Sequence, residues 1–194
     1  MLLVPFLPEL LDPLSNASQY IARQSPWRLT LPLLRTLFPE DGVRLLLSVL
    51  VWVLVALVVW RLSRVLPRRA LTHDVSSEAV WAATLLSVAW LLSSTYAYAW
   101  YDVMAWAPLL LLPASGVDLV VLVRMATVAA AYSPGLVLDP PGFLGSVTTT
   151  LNGSVAPLVG LGLLVLVLFF GDRLRLPQRS QGIRTATEVK AQPE

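Results

Sequence analysis

The chain has 194 residues, of which 56% are hydrophobic and only 13% charged, with a formal net charge of +2. Soluble domains typically carry about 25% charged residues, so a water-soluble globule, a coiled coil and a disordered chain are all excluded. Absent cysteine excludes disulfides, a thiol nucleophile and a cysteine-ligated metal, and a single histidine outside any acidic cluster argues against other metal sites.

The composition reads as an all-α, polytopic transmembrane helical bundle with about five membrane segments. No cofactor motif and no nucleic-acid motif is present. Residues 1–42 are expected to be external interfacial helices. The opening run to Leu14 lacks a basic region and is broken by Pro5, Pro8 and Pro13, so it is not a signal peptide. Stretches 14–24 and 26–38 read as amphipathic, with Trp27, Leu31, Leu34, Leu37 and Phe38 facing lipid.

The transmembrane module is expected over 43–170. Val43–Leu62 is its clearest span, long enough at about 30 Å to cross the hydrocarbon core. Arg44 and Arg61 lie near its ends, where long side chains reach the headgroups. A second span is expected from Ala79 to about Tyr98, with Ser76, Ser77 and Glu78 as cap and first-turn residues. Between Trp100 and Ser133 the apolar run breaks at Pro108, Pro113, Gly116 and Asp118. Two short segments are expected there, Val103–Pro113 and Leu119–Tyr132, crossing with tilt or forming a re-entrant hairpin. Ser154–Phe170 is the last span, and 171–194 reads as a disordered cytoplasmic tail.

Arginine placement orients these segments. Thirteen of the 14 cations are arginine. Arg61, Arg64, Arg68 and Arg69 follow the first span, while Arg173, Arg175, Arg179, Arg184 and Lys190 follow the last. Connections 93–102 and 134–153 contain neither Lys nor Arg. The positive-inside rule then puts both basic stretches in the cytoplasm, in contact with anionic membrane lipids, and both cation-free connections outside. The chain is thus expected to be a multi-pass plasma-membrane protein with an external N-terminus and a cytoplasmic C-terminus. An external start without a signal reads as the continuation of a longer polytopic protein.

Chemistry is expected at the external boundary. Thr95 to Asp102, with Trp106 one turn on, gathers five aromatics and one carboxylate. The residues leave two readings open: an interfacial aromatic belt, or rings that stack on a sugar while Asp102 accepts its hydroxyls. Trp100, Tyr101, Asp102, Trp106 and Arg124 are the candidate substrate-binding residues. Arg124 lies within an apolar segment, where a cation either snorkels to the boundary or meets a partner, such as a lipid phosphate. Asn152-Gly153-Ser154 reads as external loop and formal glycosylation acceptor, as does Asn16 with Ala17 and Ser18, and Asp139 reads as a loop acid. His73 and Asp74 receive no chemistry.

Three stretches carry a resemblance: Ser25-Pro26-Trp27-Arg28; Tyr98-Ala99-Trp100-Tyr101-Asp102-Val103-Met104-Ala105-Trp106 with Leu112-Pro113-Ala114-Ser115; and Ala131-Tyr132-Ser133-Pro134-Gly135. In this order they resemble the C-terminal third of actinobacterial polyprenol-phosphate-mannose-dependent α-1,6-mannosyltransferases, which are GT-C type membrane enzymes. The second stretch is similar to a family pattern L-P-W-Y-D-A-x-A-W, with Ala99 where that pattern has proline. The resemblance implies transfer of mannose from a polyprenyl-phosphate sugar donor to a cell-envelope lipoglycan on the outer face of the membrane. It also implies a catalytic carboxylate in an upstream external loop that has no counterpart here, so Asp102 is not assigned that role. On this reading the chain is a fragment or split half that needs a polytopic partner. The alternative is a non-catalytic membrane subunit or scaffold.

Overall fold

The computed structural model describes residues 21–68, 76–132 and 142–175. Of these, 80% are helical and none forms a strand. Two helical stretches are long and apolar enough to cross a membrane, Glu40–Leu62 and Phe143–Leu174.

Helix α1 is Trp27–Leu37 and α2 is Glu40–Leu62. Val43, Leu47, Val51, Val55, Val58 and Leu62 form the buried stripe of α2, at the three- and four-residue spacing of one helix face. Its opposite face is equally apolar: Leu45, Val49, Trp52, Val53, Leu57 and Trp60 are all exposed. An exposed apolar face of this extent calls for a non-aqueous surround.

Helix α3, Ser77–Ser93, packs antiparallel to α2: Trp81 near its start donates to the Leu66 carbonyl just beyond α2, while Trp90 near its end meets Trp52 in the middle of α2. Ser76 caps it, its hydroxyl accepting from the Ala79 amide at 3.4 Å, with Glu78 in the first turn as expected. The helix ends five residues before the expected Tyr98, because Ser94 turns extended. The freed carbonyls are taken up by the first residue of α1 and the segment preceding it. Trp27 donates its indole N–H to the Ser93 carbonyl at 2.7 Å, and the Ala22 amide donates to Thr95 at 3.0 Å.

This contact corrects two expectations. Trp27 is buried rather than lipid-facing, and 22–25 is a turn rather than the end of a helix begun at 14; residues 14–20 lie outside the described ones. Leu31 and Leu34 also pack against the core. The outward ridge of α1 is Leu29, Leu33 and Leu37, spaced one turn apart.

A 3-10 turn, Ala99–Tyr101, leads into α4, Asp102–Leu109. At eight residues α4 is about 12 Å long, shorter than the expected Val103–Pro113. Helix α5 spans Gly116–Tyr132 and starts earlier than the expected Leu119. Asp118 is the reason. Its carboxylate accepts from the Ser115 amide at 2.8 Å while the Ser115 hydroxyl accepts from the Val117 amide at 3.2 Å, so the acid expected to break the helix begins it.

The last helical stretch also begins earlier than expected, at Phe143 rather than Ser154. It comprises α6, Phe143–Thr150, a π-helical turn Leu151–Val155, α7, Ala156–Phe170, and a 3-10 turn Gly171–Leu174. Residues 171–174, expected to open a disordered tail, are thus an ordered turn packed on the bundle. Gly116 meets the backbone of Leu174 so closely that an added Cβ would lie 2.8 Å from its Cα.

Two ends of the bundle result. One gathers the ends of α3 and α5 with the start of α4, and it is aromatic. The other gathers Arg61–Arg68, Trp81, the start of α5 and 170–175. There Arg61 pairs with Asp172 at 2.6 Å, Arg64 stacks on Trp60 at 3.9 Å and Arg175 donates to the Arg64 carbonyl.

Candidate functional site: an aromatic corner over a buried ion pair

The aromatic corner is built by the tight path from Ser94 to Asp102. Tyr98 and Trp100, two residues apart, stack with ring centroids 4.7 Å apart and planes within 4°. Tyr132, the last residue of α5, stands edge-on to both, at 6.2 Å from Tyr98 and 5.2 Å from Trp100. Tyr101 lies 6.1 Å from each of the stacked rings, and Tyr96 6.4 Å from Tyr101. Such offset and edge-to-face pairs add about 0.5–1.5 kcal/mol each beyond burial, enough to hold the corner rigid. Trp100 nevertheless keeps half of its surface exposed. Burial, with Tyr101 and Tyr98 adding to it, pushes the Tyr96 phenol above its ordinary pKa.

Below the corner lies the only ion pair among the described residues in which both partners are buried. Asp102, the first residue of α4, is fully buried, and Arg124 is 5% exposed. Arg124 donates through Nη1 to Asp102 Oδ1. Eight residues separate Arg124 from Tyr132, about 12 Å along α5, so the guanidinium reaches up its helix toward the corner. The sequence leads one to expect Arg124 to snorkel to the cytoplasmic boundary or meet a lipid phosphate, and Asp102 to accept sugar hydroxyls. The fold instead closes them on each other. Asp102 Oδ2 and, one turn on, Trp106 Nε1 are buried without a hydrogen-bond partner among the described residues.

A second buried polar contact lies at the same end. Gln24 Nε2 donates to Asn152 Oδ1 at 2.6 Å. Asn152 is 7% exposed within the π-helical turn, which corrects its reading as a loop residue and glycosylation acceptor: a side chain so enclosed cannot receive a glycan. Asn16, Asp139, His73, Asp74, Arg69 and the cations beyond Arg175 lie outside the described residues, as does Ser133-Pro134-Gly135.

A narrow cavity opens between α3, α5 and α7, with room for about one water molecule. Gln24, Ser94, Ala97, Arg124, Thr127 and Gly160 are on its walls. Of the expected site residues, Trp100 and Tyr101 meet in the corner, and Asp102 and Arg124 pair beneath it. Trp106 is half-buried against the core rather than part of the stacked group. Sequence reasoning missed Tyr132 as the third ring, and Gln24, Asn152 and Thr127 as polar neighbours. Among the described residues no cluster of metal-ligating side chains occurs.

Chemically, this arrangement offers a half-exposed indole on a rigid platform, with a charge-neutral pair behind it. With Asp102 fully enclosed and held by Arg124, no carboxylate among the described residues reaches the surface there to act as a base. No family model matches the chain, and neither curated proteins nor solved structures give a significant match.

Proposed function

We propose that the chain is a polytopic plasma-membrane module of five helical segments that handles the sugar in a lipid-linked glycosyl transfer. It resembles the C-terminal portion of a mannosyltransferase that moves mannose from a polyprenyl-phosphate donor to a cell-envelope lipoglycan. The observation that carries this reading is Trp100, half exposed on the platform of Tyr98 and Tyr132. An indole held this way presents a flat apolar surface to the C–H face of a pyranose.

Topology supports the same reading. Gly116 touches Leu174 at the arginine end while Tyr132 lies at the aromatic end, so 102–132 runs down the bundle and back up. Arg61, Arg64, Arg68, Arg173 and Arg175 share the arginine end, against Arg23 and Arg28 on the segment bound to 93–95 at the aromatic end, and the aromatic connection 93–102 itself carries no cation. By the positive-inside rule the aromatic end faces outside. Polyprenyl-phosphate mannose and the growing lipoglycan would meet there.

One observation favours a second reading. The complete enclosure of Asp102 leaves the described residues of this face without a base, as expected of a non-catalytic subunit packed against a polytopic partner that supplies the acid–base chemistry. Both readings share the sugar-facing corner.

The test is binding. The chain in nanodiscs, titrated with polyprenyl-phosphate mannose, is expected to show a saturable change in tryptophan emission. Trp100→Ala is expected to weaken binding about 3- to 10-fold, the loss of one stacked aromatic. Unglycosylated polyprenyl phosphate is expected to bind native and variant chains alike. Equal binding of the sugar lipid to both chains, or none to either, overturns the proposal.

A further inference from the structure

The geometry points to the cavity beside Arg124 as a site for an uncharged hydroxyl group, not for a phosphate. This deepens the sugar-handling reading and rests on it, naming which part of a ligand enters the bundle. The donor and acceptor inventory of the walls decides the matter. Thr127 spends its hydroxyl proton on the Val123 carbonyl at 2.8 Å, and Ser94 spends its own on the Tyr96 carbonyl at 2.8 Å. Both therefore turn only oxygen lone pairs toward the cavity. Arg124 uses Nη1 on Asp102, its one partner among the described residues, and a guanidinium has further N–H donors to offer.

A group that both donates to Thr127 or Ser94 and accepts from Arg124 satisfies these walls, and a hydroxyl does so. A phosphodiester, the form found in a lipid-linked sugar, has only acceptors to bring, so it would set its oxygens against two lone-pair surfaces. Charge agrees. Asp102 already neutralises Arg124, and no other charged side chain is on the walls. An entering anion would leave an uncompensated negative charge in a low-dielectric interior, which is strongly unfavourable.

Size sets the limit. With room for about one water molecule, the cavity admits a single hydroxyl group and excludes a whole ring. The rest of a sugar would therefore remain outside the cavity. Two sources offer such a hydroxyl: a glycan, or the glycerol headgroup of a lipid.

The experiment uses the full chain in phosphatidylcholine nanodiscs and reads saturation-transfer NMR with methyl α-mannoside, glycerol and dimethyl phosphate, a phosphate diester with no hydroxyl proton. Mannoside is expected to bind, Thr127→Val to weaken it at least about fivefold, and phosphate at equal concentration not to displace it. Asp102→Asn supplies the opposite test, because it leaves Arg124 unneutralised without changing shape, so phosphate binding is expected to appear. Should Asp102→Asn fail to fold, the Thr127→Val arm and the phosphate competition still decide. Phosphate displacing mannoside from the native chain, or mannoside binding unchanged in Thr127→Val, overturns the hydroxyl site and leaves the Trp100 reading standing. A glycan source requires mannoside to bind about tenfold tighter than glycerol, with Trp100→Ala erasing the difference. Equal binding of the two keeps the hydroxyl site but assigns it to lipid glycerol, and the sugar-handling reading falls.

Discussion

Arg124, midway along α5, donates to Asp102, the first residue of α4, across 22 positions of sequence. Each charge lies in an apolar segment where it could not remain alone. Together they tie the short α4 to the longer α5 just beneath the aromatic rings, so the corner and the ion pair form one unit.

Removing one member of that unit is therefore worse than removing both. Asp102→Ala or Arg124→Ala alone leaves a buried charge without its partner and is expected to cost about 3–5 kcal/mol. Asp102→Leu with Arg124→Met together are expected to lie within about 1 kcal/mol of the native chain, since apolar replacement of a buried pair is often neutral. Unfolding in mixed micelles with a graded denaturing detergent measures the difference. Additive losses in the double variant would show that the pair is not coupled.

A second prediction concerns the junction of α5 with the last turn. At Gly116 an added Cβ would meet the Cα and carbonyl oxygen of Leu174 at 2.8 and 2.9 Å, and backbone atoms cannot swing aside. Gly116→Ala is expected to destabilise by about 1–3 kcal/mol, as overpacking does. Gly162→Ala, in α7 with nothing within 4 Å, is expected to be neutral or to stabilise by up to about 1 kcal/mol. The same unfolding measurement ranks them.

How much of this was legible differs from place to place, for physical reasons. The first span was readable almost to the residue, because its apolar run and flanking arginines are local signals. The Ser76 cap was readable for the same reason. Ser115-x-x-Asp118 is also a local capping pattern, and counting Asp118 as a break overlooked it. The Asn152 region was not legible. Asn-Gly-Ser reads as a turn on propensity, and its helical state is accompanied by a partner, Gln24, 128 positions away. Likewise the aromatic content of 95–106 was plain, but Tyr132 joins it only through the path of α5.

The Gln24–Asn152 bond supplies a third prediction. Asn152→Ala leaves the buried Gln24 amide without its acceptor and is expected to cost about 1–3 kcal/mol. Adding Gln24→Ala is expected to return part of that loss, with a coupling energy of about 0.5–3 kcal/mol. A double-mutant cycle by unfolding measures it, and zero coupling would count against the contact.

Trp27 makes a fourth case. Trp27→Phe keeps the buried ring but removes the N–H that satisfies the Ser93 carbonyl at 2.7 Å. The expected loss is about 1–2 kcal/mol, with amide exchange speeding up at the end of α3 ahead of the helix middle. Uniform exchange along α3 would argue against a capping role.

The proposed function requires one orientation: the Tyr98–Trp100–Tyr132 corner toward the cell exterior and the Arg61–Arg175 end toward the cytoplasm. The chain contains no cysteine, so single cysteines introduced at Thr95 or Arg173 report without background. A membrane-impermeant maleimide applied to intact cells should modify Thr95→Cys and leave Arg173→Cys untouched until the membrane is opened. The reverse pattern, or equal labelling of both in intact cells, would contradict the account.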